Sequence, residues 1–212
     1  PRVDESALGQ FYTSAYLPYR VEEAWGKYAS FVKKDQLQID KARVQRIIKH
    51  CKPSNQSRIL DIGCGKPTFL AALRDSIKAN LIGLDFSEEG WKNDRELYHN
   101  IDLSTGEIAD LGNEKPMDVI TMWHVLEHVH TLDAYVGQLK KVMKDDGVLF
   151  VAVPNYTSKD AEHYGTAWAA YDVPRHLYHF SPKSMKSLME RHGFSISKIK
   201  PMWYDAVYVS ML

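Results

Sequence analysis

From Arg58 onward, short apolar runs alternate with stretches whose apolar residues recur at intervals of three and four. Short runs bounded by turn residues read as buried strands, and the amphipathic stretches as helices laid on them. Strands are expected at Arg58–Ile62, Asn80–Asp85, Met117–Trp123, 147–153 and 195–200, with a weaker one at 98–103. Leu132, Tyr135, Val136, Leu139, Val142 and Met143 form one apolar stripe, so a helix is expected there, ending before Gly147. A second helix opens with Ser181 as N-cap and Pro182 at its first position, buries Met185, Leu188 and Met189, and closes at Gly193. Strands alternating with helices imply a parallel sheet covered by helices.

Ahead of this alternation, Val44, Ile47 and Ile48 mark a helix that Pro53 breaks. The expected division is a helical segment over 1–54 and a main domain over 55–212. Tyr12, Tyr16 and Tyr19 supply a flap in the first of these. Inside the main domain, 155–181 is a long stretch carrying Tyr156, Tyr164, Trp168, Tyr171 and Tyr178. Long insertions in compact domains are functional or disordered, and aromatics argue against disorder, so the stretch reads as a substrate lid.

Composition narrows the class without naming it. A chain of 212 residues with 44% hydrophobic residues can bury one full core. Lys plus Arg (27) balance Asp plus Glu (27), so no overall field recruits nucleic acid or an anionic membrane. The longest apolar run, 148–153, falls far short of the ~20 residues a spanning helix requires. The two cysteines, Cys51 and Cys64, do not suggest a disulfide, no leader segment is visible, and a reducing, cytoplasmic location is expected.

The strongest chemical signal is Ile59-Leu60-Asp61-Ile62-Gly63-Cys64-Gly65, a buried strand running into a glycine turn and then a helix from about Pro67. Glycine is required where a ligand approaches the backbone without a Cβ in its way. Asp85 ends the next strand, and an acidic residue there can accept hydrogen bonds from both hydroxyls of a ribose. Phe86 beside it can pack on an adenine face.

Asp61-x-Gly63-x-Gly65 followed by Asp85 resembles the first two motifs of class I methyltransferases. A nicotinamide dehydrogenase would favour Gly-x-Gly-x-x-Gly, and position 68 is Thr. The segment 117–129, which contains Trp123-His124-Val125-Leu126-Glu127-His128, resembles the fourth strand and following turn of the ubiquinone-biosynthesis O-methyltransferase group. The segments 151–155 and 174–181 fit the same group, so four motifs stand in the expected order across about 55–200. The resemblance implies an α/β, Rossmann-like sheet of order 3-2-1-4-5-(7)-6, with S-adenosylmethionine as methyl donor. It places Asp61, Gly63, Cys64, Gly65, Asp85, Phe86, Asp102, Leu103 and Trp123 around the donor. Two departures stand out. Pro67 occupies the place of a third motif glycine, and 203–212 offers no seventh strand, so the chain looks cut short.

His124, Glu127 and His128 follow the fourth strand, at the edge where the donor would sit, and are the candidate catalytic residues. His128 is the first choice as base because imidazole titrates near neutral pH. The same residues also resemble the Glu-x-x-Glu-His metal motif of small-RNA 2′-O-methyltransferases, with His124 in place of the first Glu and His176, four before Phe180, completing the set. Base and divalent-metal ligand both stay open at this point. The expected activity is methyl transfer to an oxygen or nitrogen of a small-molecule acceptor. Its rivals are metal-assisted RNA 2′-O-methylation and a donor-binding pseudoenzyme subunit.

Overall fold

A computed structural model of the chain describes residues 9–11, 26, 29–112 and 116–203. The expected flap tyrosines Tyr12, Tyr16 and Tyr19 lie outside the described residues. Five strands form one sheet: β1 (Arg58–Ile62), β2 (Asn80–Asp85), β3 (Asp102–Thr105), β4 (Met117–Trp123) and β5 (Met143–Ala152). Their order is β3-β2-β1-β4-β5, and every neighbouring pair is parallel. The order reverses at β1, so a crevice opens beyond the carboxyl ends of β1 and β4, where ligands bind in sheets of this kind.

Helices cover both faces, as a parallel sheet requires. On one face, α1 (Ala29–Cys51) and α2 (Thr68–Arg74) pack Val44, Ile47, Phe69, Leu70 and Leu73 against Ile59, Leu81 and Val119. On the other, α3 (Leu132–Val142) and α5 (Pro182–Arg191) pack Val136, Leu139, Leu188 and Met189 against Leu60, Ile120 and Met122. The expected stripe of α3 is the face it buries. The α5 helix opens as its sequence requires: Ser181 and Ser184 cap each other reciprocally, and Pro182 stands in the first turn.

Three strands, β1, β2 and β4, have the expected bounds. The regular ladder of β5 begins at Val148 opposite Val119, after a register shift from the Met117–Met143 pair. Two expectations are corrected. The weak strand expected at 98–103 starts later, at Asp102, because Arg95–Tyr98 turns as a 3-10 helix and buries Tyr98. No strand forms at 195–200. Among the described residues 195–200 join no ladder, and Phe194 and Ile196 still pack against the core.

Candidate functional site

The glycine turn is built at the carboxyl end of β1. Gly63 and Gly65 adopt φ of +68° and +50°, which only glycine takes without strain. The Gly63 N–H donates to the Leu84 carbonyl at 2.7 Å, tying the turn to the end of β2. A Cβ on Gly63 would stand 2.4 Å from Val125 Cγ2, so this turn and the one after β4 are in direct contact. A Cβ on Gly65 would meet nothing within 4 Å, and that side of the turn is open. Pro67 precedes α2 rather than entering it, its carbonyl accepting from the Ala71 N–H at 3.0 Å.

Two buried acids bracket this turn. Asp61, 2% exposed, accepts a 2.5 Å hydrogen bond from Thr121 Oγ1 on β4. Burial pushes its carboxyl up to about 7, against the Thr121 bond and the charge of Arg43. Asp85 accepts from the Gly65 N–H at 2.8 Å and from the Ser87 N–H at 3.2 Å, so the residue expected to read a ribose also holds the turn in shape. Burial raises its pKa while those amides pull it back. Phe86, next in the chain, is 63% exposed beside the open turn. Cys64 is buried under the turn, and burial pushes its thiol far up, so it is an inert packing group.

Trp123, at the end of β4, packs edge-on against Phe69 at 5.5 Å, with the Arg43 guanidinium 4.7 Å over its ring. Its indole N–H is buried with no hydrogen-bond partner. Arg43 was missed in the sequence, where it reads as one more polar position of α1; its approach to Trp123 and Asp61 is a tertiary event. Thr121 was missed for the same reason.

Asp102 and Leu103 lie at the start of β3. They open β3 opposite Ile82 and Gly83, and Asp102 lines a cleft with Arg58, Asn80 and Asn100 at the amino edge of the sheet. Three residues of strand, about 10 Å, separate Asp102 from the Thr105–Asp85 pair at the carboxyl edge. Leu103 is a core residue lying over Gly83. Thr105, Gly106 and Glu107 are the residues this strand brings to the carboxyl edge, the Gly106 N–H donating to the Asp85 carbonyl at 2.9 Å.

His124, Glu127 and His128 lie on the turn after β4. His124 has φ of +59°, a strained backbone for a residue with a Cβ, and its side chain is 35% exposed. Its Nδ1 lies 3.5 Å from Glu127 Oε1. Glu127 is fully buried, and neither carboxylate oxygen has a hydrogen-bond partner. Burial raises its pKa, yet His124 first, with His128 and His176, holds it below the ordinary carboxyl value. His128 and His176 meet edge-on with ring centroids 4.6 Å apart, and burial pushes both imidazoles down, His128 to about 4.

The aromatic stretch is fastened to this turn. The Leu177 and Tyr178 N–H groups both donate to the Glu127 carbonyl, at 2.8 and 3.2 Å, and the Tyr178 hydroxyl donates to the His130 carbonyl at 3.1 Å. Within the stretch, α4 (Lys159–Tyr164) and Trp168, Ala170 and Tyr171 form a small core of their own. His163 packs on Tyr164 and His179 on Tyr171, both away from the cluster.

Residues 31–199 match the family described as the methyltransferase domain. The chain belongs to that family. It is a class I, S-adenosylmethionine-dependent methyltransferase domain. It is 26% identical over 170 residues to a ubiquinone biosynthesis O-methyltransferase of Pelagibacter ubique, covering 72% of this chain and 70% of that protein. It is 25% identical over 166 residues to a probable S-adenosylmethionine-dependent methyltransferase of Mycolicibacterium smegmatis, covering 76% of this chain but only 60% of the relative. Its fold matches magnesium protoporphyrin IX methyltransferase of Synechocystis, solved with S-adenosylhomocysteine, at a TM-score of 0.68 over 92% of this chain and 91% of that one, with 16% identity. Among the described residues no helix is long and apolar enough to cross a membrane.

Proposed function

We propose that this methyltransferase domain transfers the donor's methyl group to an oxygen or nitrogen of a small-molecule acceptor, bound between the turn after β4 and the aromatic stretch. The observation that carries this reading is the fastening of that stretch to Glu127 and His130, on the same turn whose Val125 meets Gly63. The aromatics of 155–181 suit a compact, flat acceptor, and a neutral overall charge gives no pull toward a polyanion. The relatives named as ubiquinone biosynthesis O-methyltransferases favour oxygen over nitrogen.

Around the donor, Asp61 faces the ammonium of its methionine portion and Asp85 the ribose hydroxyls. Phe86 offers a face to the adenine, and Arg43 with the Trp123 N–H supplies partners for the methionine carboxylate. In the transfer itself the acceptor O–H or N–H gives up its proton, its lone pair attacks the methyl carbon, and the C–S bond breaks. Sulfur keeps that electron pair, leaving S-adenosylhomocysteine. Holding the two reactants in line supplies much of the rate. His124, exposed at the mouth with Glu127 behind it, is placed to take the proton. His128, the first choice from sequence, is the less accessible ring, held edge-on to His176 and against the Arg175 carbonyl.

S-adenosylhomocysteine release, measured over a panel of phenols, catechols, amines and short RNAs, tests this. Turnover on a small aromatic hydroxyl or amine supports the reading, and turnover confined to RNA overturns it.

A further inference from the structure

We infer that Thr121 is a positioning residue for the donor: its buried hydroxyl fixes the Asp61 carboxylate for the ammonium of the donor's methionine portion. Asp61 and Thr121 are register partners on the parallel strands β1 and β4, so the pairing of these two strands brings them together. Both are buried, Thr121 fully and Asp61 nearly so. The hydroxyl has one proton and two acceptors in reach, Asp61 Oδ1 at 2.5 Å and the Leu60 carbonyl at 3.4 Å. The shorter bond, to the group that can carry a charge, takes the proton.

Packing alone does not call for a hydroxyl at this position. Val119, Ile120 and Met122 beside it on β4 are apolar, and an apolar side chain would fill the place without a hydroxyl's loss of water. The hydroxyl answers to Asp61, whose other surroundings are divided. Burial resists its charge; Arg43 of α1 favours the anion, while Asp40 of α1 and Asp85 of β2 oppose it. Asp40 also pairs with Arg43 at 3.9 Å, so part of that guanidinium's charge is already answered. The Cys64 thiol of the glycine turn stays protonated and adds no charge. Among the described residues, Thr121 alone gives the Asp61 side chain a hydrogen bond.

That the ammonium meets Asp61 belongs to the proposed function, and this inference rests on it. An ammonium binds the anion, so a group that favours the anion tightens the donor wherever the carboxyl is only partly ionised, which is near pH 7. One hydrogen bond to a charged group moves an ionisation by about one pH unit. Without the hydroxyl, the pH at which affinity reaches half its limit should rise by that amount. Affinity then falls about tenfold at pH 6 but only about twofold at pH 8. A hydroxyl that merely packs the sheet would lower affinity by one factor at every pH.

The test is calorimetry on the whole chain between pH 6 and pH 8 with S-adenosylhomocysteine, the transfer product, which keeps the methionine ammonium. Wild type is compared with Thr121→Val, Thr121→Ser and Asp61→Asn. The control ligand is 5′-deoxy-5′-methylthioadenosine, which has the nucleoside and the thioether but neither ammonium nor carboxylate; it also reports that each variant is folded. Thr121→Val should show the pH-dependent loss, Thr121→Ser should follow wild type, and Asp61→Asn should bind weakly with no pH dependence in this range. The control ligand should bind all four equally. Thr121→Ala takes the place of the valine variant if that one does not fold. A loss in Thr121→Val that is absent, equal at every pH, matched by Thr121→Ser or shared by the control ligand overturns the role of Thr121, even where Asp61→Asn behaves as expected. An Asp61→Asn profile identical to wild type overturns the ammonium reading itself, and this inference with it.

Discussion

Asp61 is an acid whose protonation the fold has made conditional. Burial lifts its carboxyl to about 7, so near neutrality it carries its charge only part of the time. Because the folded pKa lies above that of the unfolded chain, the unfolded state sheds its proton first as pH rises. The ligand-free domain therefore loses stability between the ordinary carboxyl range and about 7. A donor ammonium beside Asp61 favours the charged form, which gives the opposite trend for binding. Affinity for S-adenosylmethionine should rise from pH 6 through pH 7 and then level, with proton release seen as a buffer-dependent enthalpy in calorimetry. A flat profile would remove Asp61 from contact with the ammonium. His124 offers a second test at this scale. Its φ of +59° costs about 1–2 kcal/mol that glycine would not incur. His124→Gly relieves that strain but takes from buried Glu127 its leading partner, so the two effects on urea stability oppose each other while kcat drops ~100-fold or more. Retained kcat would contradict the role.

Among the elements, the segment after β2 is seated closely on the glycine turn. A Cβ on Gly90 would stand 2.2 Å from the Gly65 carbonyl oxygen and 2.7 Å from the Lys66 nitrogen, and neither backbone atom can yield cheaply. Gly90→Ala should cost about 1–3 kcal/mol of stability and weaken donor binding at least tenfold, read by urea unfolding and calorimetry; unchanged binding would mean that the two segments move independently. The aromatic stretch makes a milder prediction. Tyr178→Phe removes the bond to the His130 carbonyl, worth about 1 kcal/mol, and should raise acceptor KM and speed proteolysis within 155–181 while leaving donor affinity alone. Elements of this kind were unevenly legible. Helix α5 announced itself through Ser181 and Pro182, and β1, β2 and β4 through apolar runs, because caps and buried strands leave local marks. The start of β3 left none: Tyr98 to Leu103 looks like a strand, yet Tyr98 closes the 3-10 helix Arg95–Tyr98 and is buried in the core.

At the scale of the molecule, strands alternating with helices sufficed for the parallel α/β architecture, since few other topologies bury such a pattern. The failed strand at 195–200 shows where that reasoning stops: a strand exists only beside a partner, and its own residues cannot supply one. The site divides in the same way. The glycine turn and Asp85 were visible because backbone geometry at a ligand restricts residue type. Arg43 over Trp123, Thr121 on Asp61 and His176 edge-on to His128 arise from segments meeting across the fold. Asp61, Trp123 and His128 were singled out from sequence, and His176 by resemblance, whereas Arg43 and Thr121 were not. The central claim, that the donor sits on this turn, is tested most directly by calorimetry with S-adenosylmethionine on the intact chain and on Asp85→Ala, with NAD as control. The account predicts affinity on the order of micromolar, at least tenfold weaker in the variant, and no heat from NAD. Equal affinity in a folded Asp85→Ala, or preference for NAD, would contradict it.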